Sequence, residues 1–216
     1  FVFNRMTANP ITITPDTTVA EASELMRARK FRRLPVVKDG RLLGIITDRD
    51  LREVAPSPAT TLSIFELNYL LAKMQVKDIM KTNVLTILPT ATIEEAALVL
   101  YKKKIGGLVV VDEQQAVVGV ITETDIFKTF VDLMGIVGRN KIRMTIDVND
   151  RVGVLSDITG IFKELDVNIS SLLLYPLNEA KFEMVVRAEV KDREKLFDRL
   201  AVIGYPVSHW VQLGAE

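Results

Sequence analysis

The sequence predicts a mixed α/β (α+β) chain of three modules, two alike and one different. Two observations carry this. Residues 6–54 and 80–129 repeat one pattern at an offset of 74, rising to 75 after a one-residue insertion. From about Arg139 the pattern changes to β-α-β-β-α-β, the split βαβ order of ferredoxin-like domains. A repeat of this length is a supersecondary unit that buries its apolar face against its twin, and two twins packed face to face form two matching clefts.

Each element of the repeat has a local cause. Ile11-Thr12-Ile13 is a short extended segment ended by Pro15. Thr18 and Glu21 form a capping box, so a helix starts there, with Val19, Ala22 and Met26 on its apolar face. Leu34–Val37 and Leu42–Ile46 read as strands joined at Asp39-Gly40, a hairpin signal. A second helix starts near Thr47. The second copy repeats the order: Thr92 and Glu95 cap its helix, Leu108–Val111 is its first hairpin strand, and the Asp112–Gln115 turn holds the extra residue. Between the copies, Ile64, Leu67, Leu71 and Met74 are spaced as an amphipathic linker helix. The resulting modules are 1–55, 56–77 (linker), 78–134 and 139–216.

In the third module Ile142, Met144, Ile146 and Val148 alternate as a half-buried strand does. Asp150–Gly153 is a turn, and Val154, Ile158, Ile161 and Leu165 share one helical face. Val167–Leu174 and Phe182–Val190 read as strands, Leu196, Leu200 and Ile203 as a helix, and Val207–Leu213 as the last strand. Gly135 and Gly138 form a hinge before this module.

Composition narrows the function. Lys+Arg and Asp+Glu number 28 each, so no global charge attracts nucleic acid or an anionic membrane. With no cysteine and His209 as the sole histidine, thiolate sites, disulfides and histidine metal clusters are excluded. No run reaches the ~18–20 apolar residues of a membrane helix; Asp132 interrupts the nearest, Phe130–Val137. The chain as given opens with no basic-then-apolar leader, and a cytoplasmic location is the expectation. Catalytic residues are expected to be none, as are metal ligands and any obligatory cofactor.

The pattern Gly, two β-branched residues, Thr, two residues, Asp occurs at Gly44–Asp50 and Gly119–Asp125. One reading is a helix cap, Thr accepting from first-turn amides and Asp completing the box. The other places the Thr hydroxyl and an outward-facing Asp carboxylate at a cleft. There a carboxylate accepts from both ribose hydroxyls and the helix amides receive an anion.

With these residues the repeat pair resembles a tandem pair of cystathionine-β-synthase-type (CBS) domains over about residues 1–134. Met6, Pro15, Val19, Ala22, Leu34–Val37, Gly44–Asp50 and their second-copy partners carry the resemblance. It implies adenosine ligands (AMP, ADP, ATP or S-adenosylmethionine) in the clefts. By position, Ile11, Phe31 and Arg32 face adenine in the first copy, and Leu85, Ile105 and Gly106 in the second. The ribose and phosphate segments are Ile45, Thr47 and Asp50, and Val120, Thr122 and Asp125. The resemblance further implies that Thr122 and Asp125 face Ile11 and Arg32, while Thr47 and Asp50 face Leu85 and Ile105. Arg32 and Arg33 stand where the second copy has Gly106 and Gly107, so the Arg-bearing cleft is expected to prefer a phosphorylated adenosine.

The third segment resembles an ACT domain over about 139–213, on Asp150-Arg151-Val152-Gly153-Val154-Leu155 and Asn168-Ile169. That implies either an amino-acid effector at Asp150, Gly153, Val154, Leu155, Asn168 and Ile169 or a dimerisation role. Two CBS-like modules followed by an ACT-like one resemble the acetoin-utilisation B (AcuB-type) proteins, which implies a link to acetoin catabolism. The expectation is a non-catalytic regulatory homodimer that signals to a partner protein, with no nucleic-acid or membrane partner. A structural adaptor with empty ligand sites and an enzyme acting on an adenosine nucleotide are the alternatives.

Overall fold

A computed structural model describes residues 1–54, 73–135 and 141–213. These form two compact units, Phe1–Ile126 and Phe127–Glu216. The expected linker helix lies outside the described residues apart from its end, where Met74 packs on the first module's core.

In the first unit, helices α1 (Val19–Arg29) and α3 (Ile93–Lys103) start at the two expected capping boxes. The Glu21 and Glu95 amides donate to Thr18 and Thr92 Oγ1 at 3.2 and 3.1 Å. In return the Glu side chains accept from the Thr amides at 2.8 and 2.7 Å. Strands β2 (Arg33–Lys38) and β3 (Arg41–Thr47) form the first antiparallel hairpin, with Asp39 and Gly40 both at positive φ (52° and 76°). Consecutive left-handed residues are what a two-residue hairpin turn with right-handed strand twist requires. Helix α2 (Asp48–Val54) follows. The second copy runs β4 (Thr86–Ile87), α3, β5 (Gly107–Val111), β6 (Val117–Thr122) and α4 (Glu123–Leu133). Its longer turn is tied by Asp112 Oδ1, which accepts from the Gln114 and Ala116 amides at 3.0 and 2.8 Å.

The copies exchange their leading arms. Strand β1 (Thr7–Ala8) pairs with β6 of the second copy, Thr7 opposite Val120 and Ala8 opposite Gly119. Val2 is buried in the second copy's core with Ile93, Leu108 and Ile121. Reciprocally, Lys81 bridges Ile45 of β3, each amide donating to the other's carbonyl at 2.9 Å, and Val76 is buried in the first copy's core with Leu34 and Ile46. Module boundaries drawn along the sequence therefore do not coincide with the packing: residues 1–8 begin one repeat and complete the other. The exchange explains the motif glycines. A Cβ at Gly44 would come within 2.6 Å of Met80 Sδ, and one at Gly119 would overlap Met6 Sδ.

The second unit holds the β-α-β-β-α-β order: β7 (Lys141–Asn149), α5 (Val154–Glu164), β8 (Ile169–Asn178), β9 (Lys181–Ala188), α6 (Arg193–Val202) and β10 (Val207–Leu213). Its antiparallel sheet runs β10-β7-β9-β8. Ile142, Met144, Ile146 and Val148 bury one face against Ile158, Phe162, Leu196 and Leu200. Strand β8 runs on to Asn178, beyond the expected end at Leu174. Its partner β9 pairs Tyr175 with Glu183, and after an early shift between Ile169 and Ser171 the register slips again past Pro176, where proline lacks a ladder donor. Gly135 follows α4 at φ 64°, and Gly138 lies outside the described residues.

Candidate functional site

Two clefts lie in the first unit, each lined by both copies. The first, about 390 Å³, gathers Ile11, Phe31, Arg32 and Arg33 with Gly106, Val120 and Thr122. The second, about 680 Å³, gathers Ile45 and Thr47 with Leu85, Ile105 and Gly106. Ile11, Phe31 and Leu85 are large apolar side chains left 38%, 37% and 37% exposed. Exposed apolar walls in a concave site suit a flat apolar ligand face.

The two aspartates sit differently from the outward-facing expectation, and neither lines a cleft. Asp50 is only 5% exposed. Its Oδ2 accepts from the Thr47 amide and hydroxyl at 2.8 and 2.5 Å, and its Oδ1 takes Lys81 Nζ at 2.7 Å. Burial, the largest single influence, pushes the carboxyl up; the hydrogen bonds from Lys81 and Thr47 outweigh it and hold Asp50 below the usual carboxylate range. Asp125 caps α4 in the same way, accepting from the Thr122 amide and hydroxyl at 2.9 and 2.7 Å. So the capping reading describes the carboxylates, while Thr47 and Thr122 line the clefts at helix N-termini.

The arginines also depart from expectation. They stand in one copy of the sequence, yet Arg32 and Arg33 line both clefts. Arg33 lies across Gly106-Gly107 of the other copy: a Cβ at Gly106 would stand 2.9 Å from Arg33 Nη2, and one at Gly107 would overlap Nη1. Burial lowers the pKa of Arg33, against the fields of Glu123 and Asp48, which raise it. Those two acids are equivalent residues, each following the motif threonine, and the repeat alignment alone pairs them.

Sequence reasoning passed over Arg49, Arg52 and Lys81, and read Lys104 as closing a helix. All four join Arg32 and Arg33 around the second cleft, where Arg49, Arg52 and Lys81 are ion-paired to Glu53, Asp48 and Asp50. The first cleft has three cations, Lys30, Arg32 and Arg33, against Glu123. Only proximity in the fold groups these residues. Among the described residues, no group of three or more His, Cys, Asp or Glu side chains is placed to hold a metal.

In the second unit the expected effector residues scatter. Gly153 caps α5 at φ 87°, a conformation that favours glycine. Leu155, Asp150 and Asn168 are exposed, Val154 is buried in the core, and Ile169 pairs with Ala188 on β9. Arg151 spans the turn, binding Asp157 at 2.5 Å and Tyr205 Oη at 3.1 Å.

Residues 2–57 and 76–132 match the CBS domain family, and 142–204 match the ACT domain family. This chain belongs to the CBS-domain family. It carries a tandem CBS pair followed by an ACT domain. A CBS domain-containing protein of Dictyostelium discoideum is 35% identical over 130 residues, 60% of this chain and 90% of that one. Inosine-5'-monophosphate dehydrogenase of Aquifex aeolicus is 36% identical over 124 residues, 57% of this chain but 23% of the dehydrogenase. Among solved structures, a Vibrio cholerae protein described as an acetoin utilization protein (AcuB) superposes with TM-score 0.52 at 31% identity, covering 62% of this chain and 93% of that one. The CBS-pair protein CBSX2 of Arabidopsis thaliana, solved in complex with AMP, gives TM-score 0.51 at 28% identity over 61% of this chain and 96% of that one. A CBS domain pair solved with 5'-methylthioadenosine and S-adenosyl-L-methionine gives 0.51 at 28% over 61% and 95%. Two of these related CBS pairs were thus solved with adenosine compounds bound, and the AcuB likeness covers 62% of this chain.

Proposed function

We propose that this chain is a non-catalytic, cytoplasmic regulatory protein that binds adenosine ligands of the AMP/ADP/ATP class or S-adenosylmethionine in the two clefts of its CBS pair. One observation carries the reading: each cleft joins an apolar wall from one copy to a threonine-capped helix N-terminus from the other. An adenine ring suits the wall, and the first-turn amides and cationic rim suit phosphate. The clefts rank ligands. The first, with Ile11, Phe31 and Pro35 and three cations against one carboxylate, suits the adenine and the anionic phosphate of AMP. The second, larger at about 680 Å³ and rimmed by six cations of which Arg49, Arg52 and Lys81 are ion-paired, has room for the longer phosphate chain of ADP or ATP. AMP and S-adenosylmethionine in the related pairs support this ligand class.

For the ACT domain, dimerisation fits better than amino-acid sensing. The turn that would receive an effector is spanned by the Arg151–Asp157–Tyr205 clasp. Edge strand β8, meanwhile, leaves Leu174, Tyr175 and Leu177 exposed, and an apolar strand edge favours pairing with another chain. The AcuB likeness supports a place in acetoin catabolism, with a regulated protein as the downstream partner. Thermal melts with AMP, ATP, S-adenosylmethionine and single amino acids test the reading. A ligand at ~100 times its Kd should add ~2.7 kcal/mol to folded-state stability. No shift with any adenosine compound would leave a structural adaptor as the better account.

A further inference from the structure

Arg33 is the one charged side chain that both clefts approach through a gap built for it. Two consecutive residues of the other copy, Gly106 and Gly107, lack the Cβ atoms that would collide with its guanidinium. Among the described residues no hydrogen bond or ion pair within 4.0 Å fixes that guanidinium. Glu123 and Asp48 act on it only through their fields. The group is thus partly desolvated, charged, and uncommitted between two openings that each end at a threonine-capped helix.

We propose that Arg33 is a shared phosphate-recognition residue, and that it makes the two clefts compete for phosphorylated ligands. This rests on the nucleotide reading above. A guanidinium holds five donors in one plane, and its terminal Nη1–Nη2 edge, the edge that meets Gly106 and Gly107, grips one phosphate bidentately at a time. A phosphate in either cleft draws the fork to its side and neutralises its charge. A second phosphorylated ligand then meets the remaining cations of its own cleft, without Arg33 and with an added anion close by. Negative coupling between the clefts follows, of a size typical for two-site coupling, about tenfold. An uncharged ligand such as adenosine makes no demand on Arg33 and shows no coupling.

The test isolates each cleft in the full chain. Ile11 lines only the first cleft and Leu85 only the second, and both are exposed, so Ile11→Trp and Leu85→Trp each fill one cleft at a tolerant position. AMP and adenosine are titrated calorimetrically into the wild-type chain and both blocked variants, each with and without Arg33→Ala. Gly107→Ala is the second perturbation. It keeps the charge but occupies the gap, displacing the flexible guanidinium, with the Ile121 carbonyl at 3.1 Å as its nearest backbone neighbour. The expected result is that Arg33→Ala and Gly107→Ala each weaken AMP about tenfold in both isolated clefts, with adenosine affinity unchanged. In the wild-type chain the second AMP should bind about tenfold more weakly than that cleft binds AMP alone. Loss confined to one cleft, or two wild-type AMP affinities equal to the isolated values, overturns the sharing of Arg33 and leaves the nucleotide reading standing. Failure of both AMP and adenosine to bind the wild-type chain overturns the nucleotide reading itself.

Discussion

Asp50 is a helix cap whose carboxylate also holds Lys81 of the exchanged arm. Because hydrogen bonds hold its carboxyl below the usual range, the folded state binds a proton there more weakly than the unfolded chain does. Its contribution to stability is therefore present at neutral pH and fades as pH falls below the ordinary carboxylate value toward the lowered one. Asp50→Ala should cost about 1–3 kcal/mol in urea unfolding at pH 7. Asp50→Asn should flatten this part of the stability-against-pH curve between about pH 5 and 3. Lys81→Ala should cost less than about 1 kcal/mol, because its side chain is 63% exposed. At this scale the sequence was half informative. The Thr-x-x-Asp spacing states the cap, since a capping box is local in the chain. The burial of Asp50 and its bond to Lys81 were not legible, because their cause lies 31 residues away in sequence.

At the scale of elements, the exchanged arms hold the CBS pair together. Met6 lies against Gly119 and Met80 against Gly44, so each glycine is a seat for the other copy's methionine. Gly119→Ala should destabilise by about 1–3 kcal/mol through overpacking. In a Met6→Ala background the same change should cost clearly less, and a double-mutant cycle by chemical denaturation measures that coupling. The helices, hairpins and capping boxes could be read in advance because turn chemistry and periodicity act over a few residues. Strand β1 could not be. Two residues, Thr7 and Ala8, carry no alternation, and only a partner strand in the other copy makes them a strand.

Across the whole chain, the repeat and the change of pattern after it mark two distinct cores, one CBS pair and one ACT domain. The chain of 24.2 kDa should sediment at twice that mass if edge strand β8 pairs with a second copy. Leu174→Lys with Tyr175→Lys should return it to the monomer mass, because charge on an edge strand opposes pairing. An unchanged dimer in that variant would place the interface elsewhere. No helix of the described residues is long and apolar enough to cross a membrane.

By itself the sequence determined the repeat, its order of elements, the third module's topology and the positions of the two threonine motifs. Each of these is written in patterns that recur within a few residues of one another. Tertiary structure alone decided which copy's arm completes which sheet, that both aspartates turn into their helix caps, and that arginines present in one repeat reach both clefts. Those outcomes depend on contacts such as Arg33 with Gly107, 74 positions apart. Burial, charge and space meet there only after the two copies pack.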